Sequence, residues 1–149
     1  MLLVANGCSH TAGAELEWAT QGDCYEKAWP KHLSDSLGYS HINLSMAGAS
    51  NARVLRTTYE FIYDYKKQGK DFKQLLFVIL WPGLYRTEIY CDKDYLHAHD
   101  NNWTPIVVGN DACYKEFFSH SLYHYYKAWS VISTPYQSSC DFYQTILNL

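Results

Sequence analysis

Leu2-Leu3-Val4-Ala5-Asn6-Gly7-Cys8-Ser9-His10-Thr11-Ala12-Gly13 decides the fold, because an apolar run stops abruptly at an Asn-Gly pair and gives way to small and polar residues. Four apolar residues in succession, without alternation, predict a strand buried on both faces, and Asn6-Gly7 supplies its turn. No basic segment precedes the run, and it ends too early for a signal peptide, so a cytoplasmic protein is expected, with association with a virion as a further possibility. Beyond the turn Ser9 sits among small neighbours at a strand end. A hydroxyl there faces the cleft of an open α/β sheet.

The same logic extends outward. Trp29-Pro30-Lys31-His32-Leu33-Ser34-Asp35-Ser36-Leu37-Gly38 predicts a helix, with Pro30 in the first turn, Leu33 and Leu37 on one face and Gly38 just past the end. His41-Ile42-Asn43-Leu44 predicts a second strand. The small residues Ser45 to Ser50 form a loop leading to a helix capped at Ser50 or Asn51. Val54, Leu55, Tyr59, Ile62 and Tyr63 then recur at helical spacing until Gly69. Leu75-Leu76-Phe77-Val78-Ile79-Leu80-Trp81 is continuous rather than alternating, the pattern of a central parallel strand covered on both faces. Pro82 to about Asp111 predicts a long polar excursion of the kind that lines sites, Tyr114 to about Ile132 a third helix, and Phe142 to Leu149 a further helical piece.

Alternating strands and helices predict an α/β fold, a three-layer doubly wound parallel sheet with right-handed crossovers, in one domain over residues 1–149. Ligand sites in such sheets lie beyond the carboxyl ends of the strands. Three strands make a small sheet, and the third is too apolar for an open edge, so the sheet is expected to be incomplete at its C-terminal side and open to self-association.

Composition narrows the function. The chain has 149 residues, 48% apolar and 18% charged, with a net charge of −3. This excludes disorder and a broad nucleic-acid or anionic-membrane surface. No run approaches the roughly 20 apolar residues of a membrane span. Five cysteines without a Cys-x-x-Cys spacing suggest reduced thiols rather than a disulfide framework or a zinc ribbon. The 14 tyrosines and 5 tryptophans suit a core, an interface or a sugar-binding groove.

Ser9 is the candidate nucleophile, although its neighbourhood is not Gly-x-Ser-x-Gly, and a turn serine satisfying local backbone groups would read the same way. His10, beside it, is a candidate to line a pocket. Trp81 and Tyr85 offer a stacking wall or a core cap. Arg86, just past the third strand, is a candidate fork for an anionic or sugar-like substrate, or one half of an ion pair with Glu88. Asp94-Tyr95-Leu96-His97 has an Asp-x-x-His spacing, and His97-Ala98-His99-Asp100 has part of a metal ligand set without a third partner. No metal and no cofactor is expected. His120 and His124 share a helical face and read as packing or interface residues.

Taken together, Gly7-Cys8-Ser9-His10-Thr11 after the first strand, Asn43 to Asn51 after the second, and Val78-Ile79-Leu80-Trp81 with Arg86 after the third resemble the SGNH, or GDSL-type, hydrolase family. The resemblance covers residues 2–90 and is narrower toward the branch often found in phage genomes, where Gly-Cys-Ser replaces Gly-Asp-Ser. It implies ester hydrolysis through an acyl-serine intermediate, with Ser9 as nucleophile and the N–H groups of Ser9 and Gly48 as oxyanion donors. The family's third donor, an Asn in Gly-x-Asn-Asp after the third strand, is replaced by Trp81-Pro82-Gly83-Leu84; Asn51 is a possible substitute, or else a helix cap. The family's C-terminal Asp-x-x-His is absent, since no histidine follows Ser133.

Two rivals stand beside the esterase with its small-molecule or carbohydrate ester substrate. One is a non-catalytic binding or virion-associated module on the same fold that takes carbohydrate or protein. The other is a flavodoxin-like nucleotide binder, which lacks any Gly-x-Gly-x-x-Gly or Walker loop.

Overall fold

The computed structural model describes residues 1–16, 24–84, 86–90, 103–107, 123–124 and 126–128. The chain forms two compact units, Met1–Pro82 and Gly83–Leu149.

In the first unit β1 (Leu2–Asn6) is followed by a short helix α1 (Ser9–Ala12), helix α2 (Trp29–Leu37), β2 (Ser40–Asn43), helix α3 (Asn51–Lys67), a 3₁₀ turn at Phe72–Gln74 and β3 (Leu75–Ile79). The strands form one parallel sheet in the order β2-β1-β3. This is a mixed α/β unit. Leu3, Val4, Ala5 and Asn6 are fully buried, and successive strand residues point to opposite faces, so β1 is covered on both.

The helix boundaries follow local chemistry. α2 carries Pro30 in its first turn and ends at Gly38, whose φ of +66° is the left-handed conformation that costs a glycine little. The Tyr39 N–H then closes the end by donating to the Ser34 carbonyl at 2.9 Å. α3 is capped by Ser50, whose Oγ accepts from the Arg53 N–H at 3.1 Å. Val4 pairs with both Ile42 and Phe77 in the sheet register, so the three share a face. α3 packs there, with Phe61 meeting Phe77 edge to face at 6.0 Å between ring centroids.

The third strand has one described neighbour. Among the described residues it pairs only with β1 and ends the sheet, while β1 is central; each of its residues is half-buried. It also stops at Ile79, leaving Leu80 and Trp81 exposed beyond it. A continuous apolar run reports that neither face is wetted, and it carries no information about which strand lies in the middle.

The second unit contains an antiparallel pair, β4 (Arg86–Tyr90) and β5 (Trp103–Val107), within the stretch expected to be a polar excursion. Tyr90 and Trp103 are paired in register with ring centroids 5.6 Å apart. Ile106 and Tyr126 are fully buried, with Ile89 and Tyr123 packed against them. Residues 123–124 and 126–128 are helical, inside the helix expected from Tyr114 to Ile132. The rest of that helix, the Phe142–Leu149 piece, Tyr85, the 94–97 pair, the 97–100 cluster and His120 lie outside the described residues. Among the described residues no helix is long and apolar enough to cross a membrane.

Candidate functional site

The carboxyl end of the sheet is organised by an amide buried where an apolar strand stops. Asn6 is 0% exposed, and its Nδ2 donates to the Val54 carbonyl at 3.0 Å and to the hydroxyls of Thr57 and Thr58 at 2.9 Å each. Both hydroxyls are free to accept because each spends its proton on α3's own backbone, Thr57 on Arg53 O and Thr58 on Val54 O. The Asn6 Oδ1 accepts the Gly7 N–H at 2.9 Å, and the Asn6 carbonyl accepts the Leu80 N–H at 3.0 Å. One residue thus ties the turn after β1 to α3 and to the segment after β3. The sequence marks Asn6 as half of a turn; the overlooked signal is a carboxamide continuing a strand whose other residues are all apolar.

The loop after β2 is fixed to the same place. The Leu44 N–H donates to Ala5 O at 2.8 Å, and the Met46 N–H to Gly7 O at 3.3 Å. Asn43 donates through Nδ2 to Thr11 O at 2.9 Å, and its Oδ1 accepts from both the N–H and the hydroxyl of Ser45. Arg53, only 6% exposed, donates to Leu44 O at 2.9 Å, and the Tyr25 hydroxyl donates to Ser45 O at 3.1 Å. Neither Arg53 nor Tyr25 was legible as part of this loop from spacing. Gly7 is required by closeness: a Cβ there would lie 2.9 Å from Leu80 O and against the Thr11 hydroxyl.

Cys8 and Ser9 inherit this placement. Cys8 is buried against Ala49 and Val54, with Met46 and Ile79 alongside, and its carbonyl accepts from the N–H groups of Thr11 and Ala12. Ser9 follows as the first residue of α1, half-buried. Gly48 lies in the turn closed by the Ala49 N–H on Met46 O at 3.1 Å, with a φ of +78° that favours glycine. Cys8 and Ala49 thus share one buried cluster, which holds the residue before Ser9 and the residue after Gly48 in the same part of the core. Among the described residues the Ser9 hydroxyl and the N–H groups of Ser9 and Gly48 have no hydrogen-bond partner.

Asn51 is the first residue of α3 and is relieved of capping by Ser50. Its Oδ1 is buried without a partner, and its amide nitrogen donates to no described group. His10 is exposed in α1, and Trp81 is 54% exposed beyond β3. Arg86 begins β4 opposite Val107 in the second unit, half-buried. Among the described residues no histidine or carboxylate hydrogen-bonds to Ser9, and no group of three His, Cys, Asp or Glu is placed to hold a metal ion.

A hydroxyl and two backbone donors without partners among the described residues, on loops held together at the carboxyl end of a parallel sheet, can receive a polar oxygen of a ligand. No curated protein and no solved structure matches the sequence. A family model does match residues 19–123, well over half of the chain, and the protein belongs to that family, the family of unknown function DUF6071.

Proposed function

We propose that the protein is an SGNH-type ester hydrolase on a three-layer doubly wound sheet, acting on a small-molecule or carbohydrate ester through an acyl-serine intermediate and needing no cofactor. The observation that carries this reading is the placement of Ser9 and Gly48 on loops joined by the Met46–Gly7 hydrogen bond, with the Ser9 hydroxyl and both N–H groups unengaged among the described residues. In this scheme Ser9 Oγ attacks the ester carbonyl, and the oxyanion is received by the N–H groups of Ser9 and Gly48 and by the Asn51 carboxamide. A donor aimed at that charge contributes about 3–4 kcal/mol. His10 and Trp81 border the substrate.

A second reading, a binding module for carbohydrate or protein on the same fold, is favoured by one observation: no described group stands ready to take the Ser9 proton, and a serine without a base is a weak nucleophile. A fluorophosphonate probe separates the two. Labelling at Ser9, abolished by Ser9→Ala, supports the hydrolase; no labelling of the folded full chain, with saturable binding of oligosaccharide, supports the module.

A further inference from the structure

Toward the amino end of β1, the far end from Asn6 and Ser9, a cavity of about 260 Å³ lies between the sheet and the last turns of α3. Its apolar lining comes from Leu2 and Ile42 on the sheet, which share the face that α3 covers, and from Phe61 on the helix. The rest of the lining is polar: Asp64, Tyr65 and Gln68 from α3, and Lys70 just past it. Local chemistry puts Lys70 there. Gly69 takes a φ of +69°, its N–H donates to Lys66 O at 2.9 Å, and the Lys70 N–H donates to Tyr65 O at 3.4 Å. The chain so doubles back that Lys70 Nζ rests 5.3 Å from the centre of the Tyr65 ring. Tyr65 is itself fixed, only 8% exposed, with the rings of Phe61 and Phe72 at 5.6 and 5.8 Å between centroids.

These polar groups lack polar partners. Among the described residues the Asp64 carboxylate, the Gln68 carboxamide and the Tyr65 hydroxyl make no hydrogen bond, and Lys70, engaged with the ring, meets no carboxylate. Asp64 and Lys70 therefore border one cavity with opposite charges and do not pair across it. A buried phenol ordinarily finds a hydrogen-bond partner. We infer that the cavity binds a free α-amino acid with a branched apolar side chain, such as leucine. Asp64 receives the ammonium, Lys70 and the Tyr65 hydroxyl receive the carboxylate, and the side chain lies against Leu2, Ile42 and Phe61. A ligand of one sign would meet a like charge at this opening, whereas a zwitterion answers both. Size agrees: at about 30 Å³ per water the cavity has room for about nine waters, a match to leucine and far too little for a nucleotide or an oligosaccharide. The site stands independently of the hydrolase reading.

Calorimetric titration of the full chain with L-leucine tests this. Leucine is expected to bind saturably. Isocaproate, isoamylamine and glycine, which lack the ammonium, the carboxylate and the side chain in turn, are expected to bind at least about tenfold more weakly. Asp64→Asn and Lys70→Met alter exposed side chains, so the thermal melt should hardly move while leucine binding weakens at least about tenfold. Asp64→Asn also narrows the preference for leucine over isocaproate, a change that a carboxylate with a purely structural role would not produce. No saturable heat with leucine at millimolar concentration, equal affinity for leucine and its two singly charged analogues, or leucine binding indifferent to both substitutions overturns the proposal.

Discussion

The Met46 N–H donates to the Gly7 carbonyl oxygen at 3.3 Å, and through this bond the turn after β1 and the loop after β2 share one position at the carboxyl end of the sheet. Both loops are made of small residues because they must approach closely. Gly7→Ala would push a methyl toward Leu80 O and the Thr11 hydroxyl. The expected cost is about 1–3 kcal/mol of stability, since a crowded site yields only by moving backbone. Urea unfolding measures it, and an unchanged midpoint would show that the loops can part without penalty.

Asn6 should be among the least replaceable residues of the first unit. Asn6→Ala leaves the buried Gly7 N–H without its partner and removes the donor shared by Val54, Thr57 and Thr58, a loss of about 2–4 kcal/mol.

Asn6→Asp is more specific because it carries a pH signature. A carboxylate there would face three acceptor oxygens in a dry site, which raises its folded pKa above the unfolded ~3.9. The sign follows: below the unfolded pKa the acid is neutral in both states and no charge penalty applies, and the penalty grows as pH rises toward the folded pKa. The deficit of Asn6→Asp relative to wild type should therefore shrink on acidification toward pH 4. A deficit independent of pH between 4 and 8 would contradict a buried carboxylate.

The sequence made some of this legible and hid the rest for physical reasons. Pro30 and Gly38 bound α2, and Ser50 with the 3.6-residue recurrence bounds α3, because caps and helical periodicity are local chemistry. Strand order is not local, so β3 could be read as a strand while its place beside β1 among the described residues could not. The β4–β5 pair hid behind the polar residues Arg86, Thr87 and Glu88 and behind Pro105, which lowers strand propensity. Ser9 and Gly48 stood out by residue type and position after strands. Asn6 and Arg53 work through partners distant in sequence, Asn6 reaching 51 and 52 residues along the chain to Thr57 and Thr58, and no motif announces such bonds.

Lys31 and Asp35 give a small test of local electrostatics. Their ion pair spans one turn of α2, and the hydrogen bond from Lys31 holds the Asp35 carboxyl below its ordinary 3.8. Stability from this pair is present above the unfolded pKa and is lost as pH falls through the lower folded value. Carbon-detected NMR titration should find Asp35 below 3.8, and Lys31→Ala should return it upward. A wild-type value at or above 3.8 would exclude the pairing in solution.

Asn51 separates a functional amide from a structural one. Its Oδ1 is buried without a partner while Ser50 does the capping, so the carboxamide contributes nothing that folding would miss. Removing an unsatisfied buried oxygen relieves a desolvation penalty. Asn51→Ala is therefore expected to leave the melting temperature unchanged or slightly raised, whereas Ser50→Ala, one residue earlier, loses a cap worth about 1 kcal/mol. If the carboxamide receives the oxyanion of an ester, the same Asn51→Ala lowers esterase turnover by about 10²-fold or more. Stability and activity then move independently at adjacent positions. A chain in which Asn51→Ala is strongly destabilising would assign the amide to the scaffold and leave the oxyanion to the backbone donors of Ser9 and Gly48.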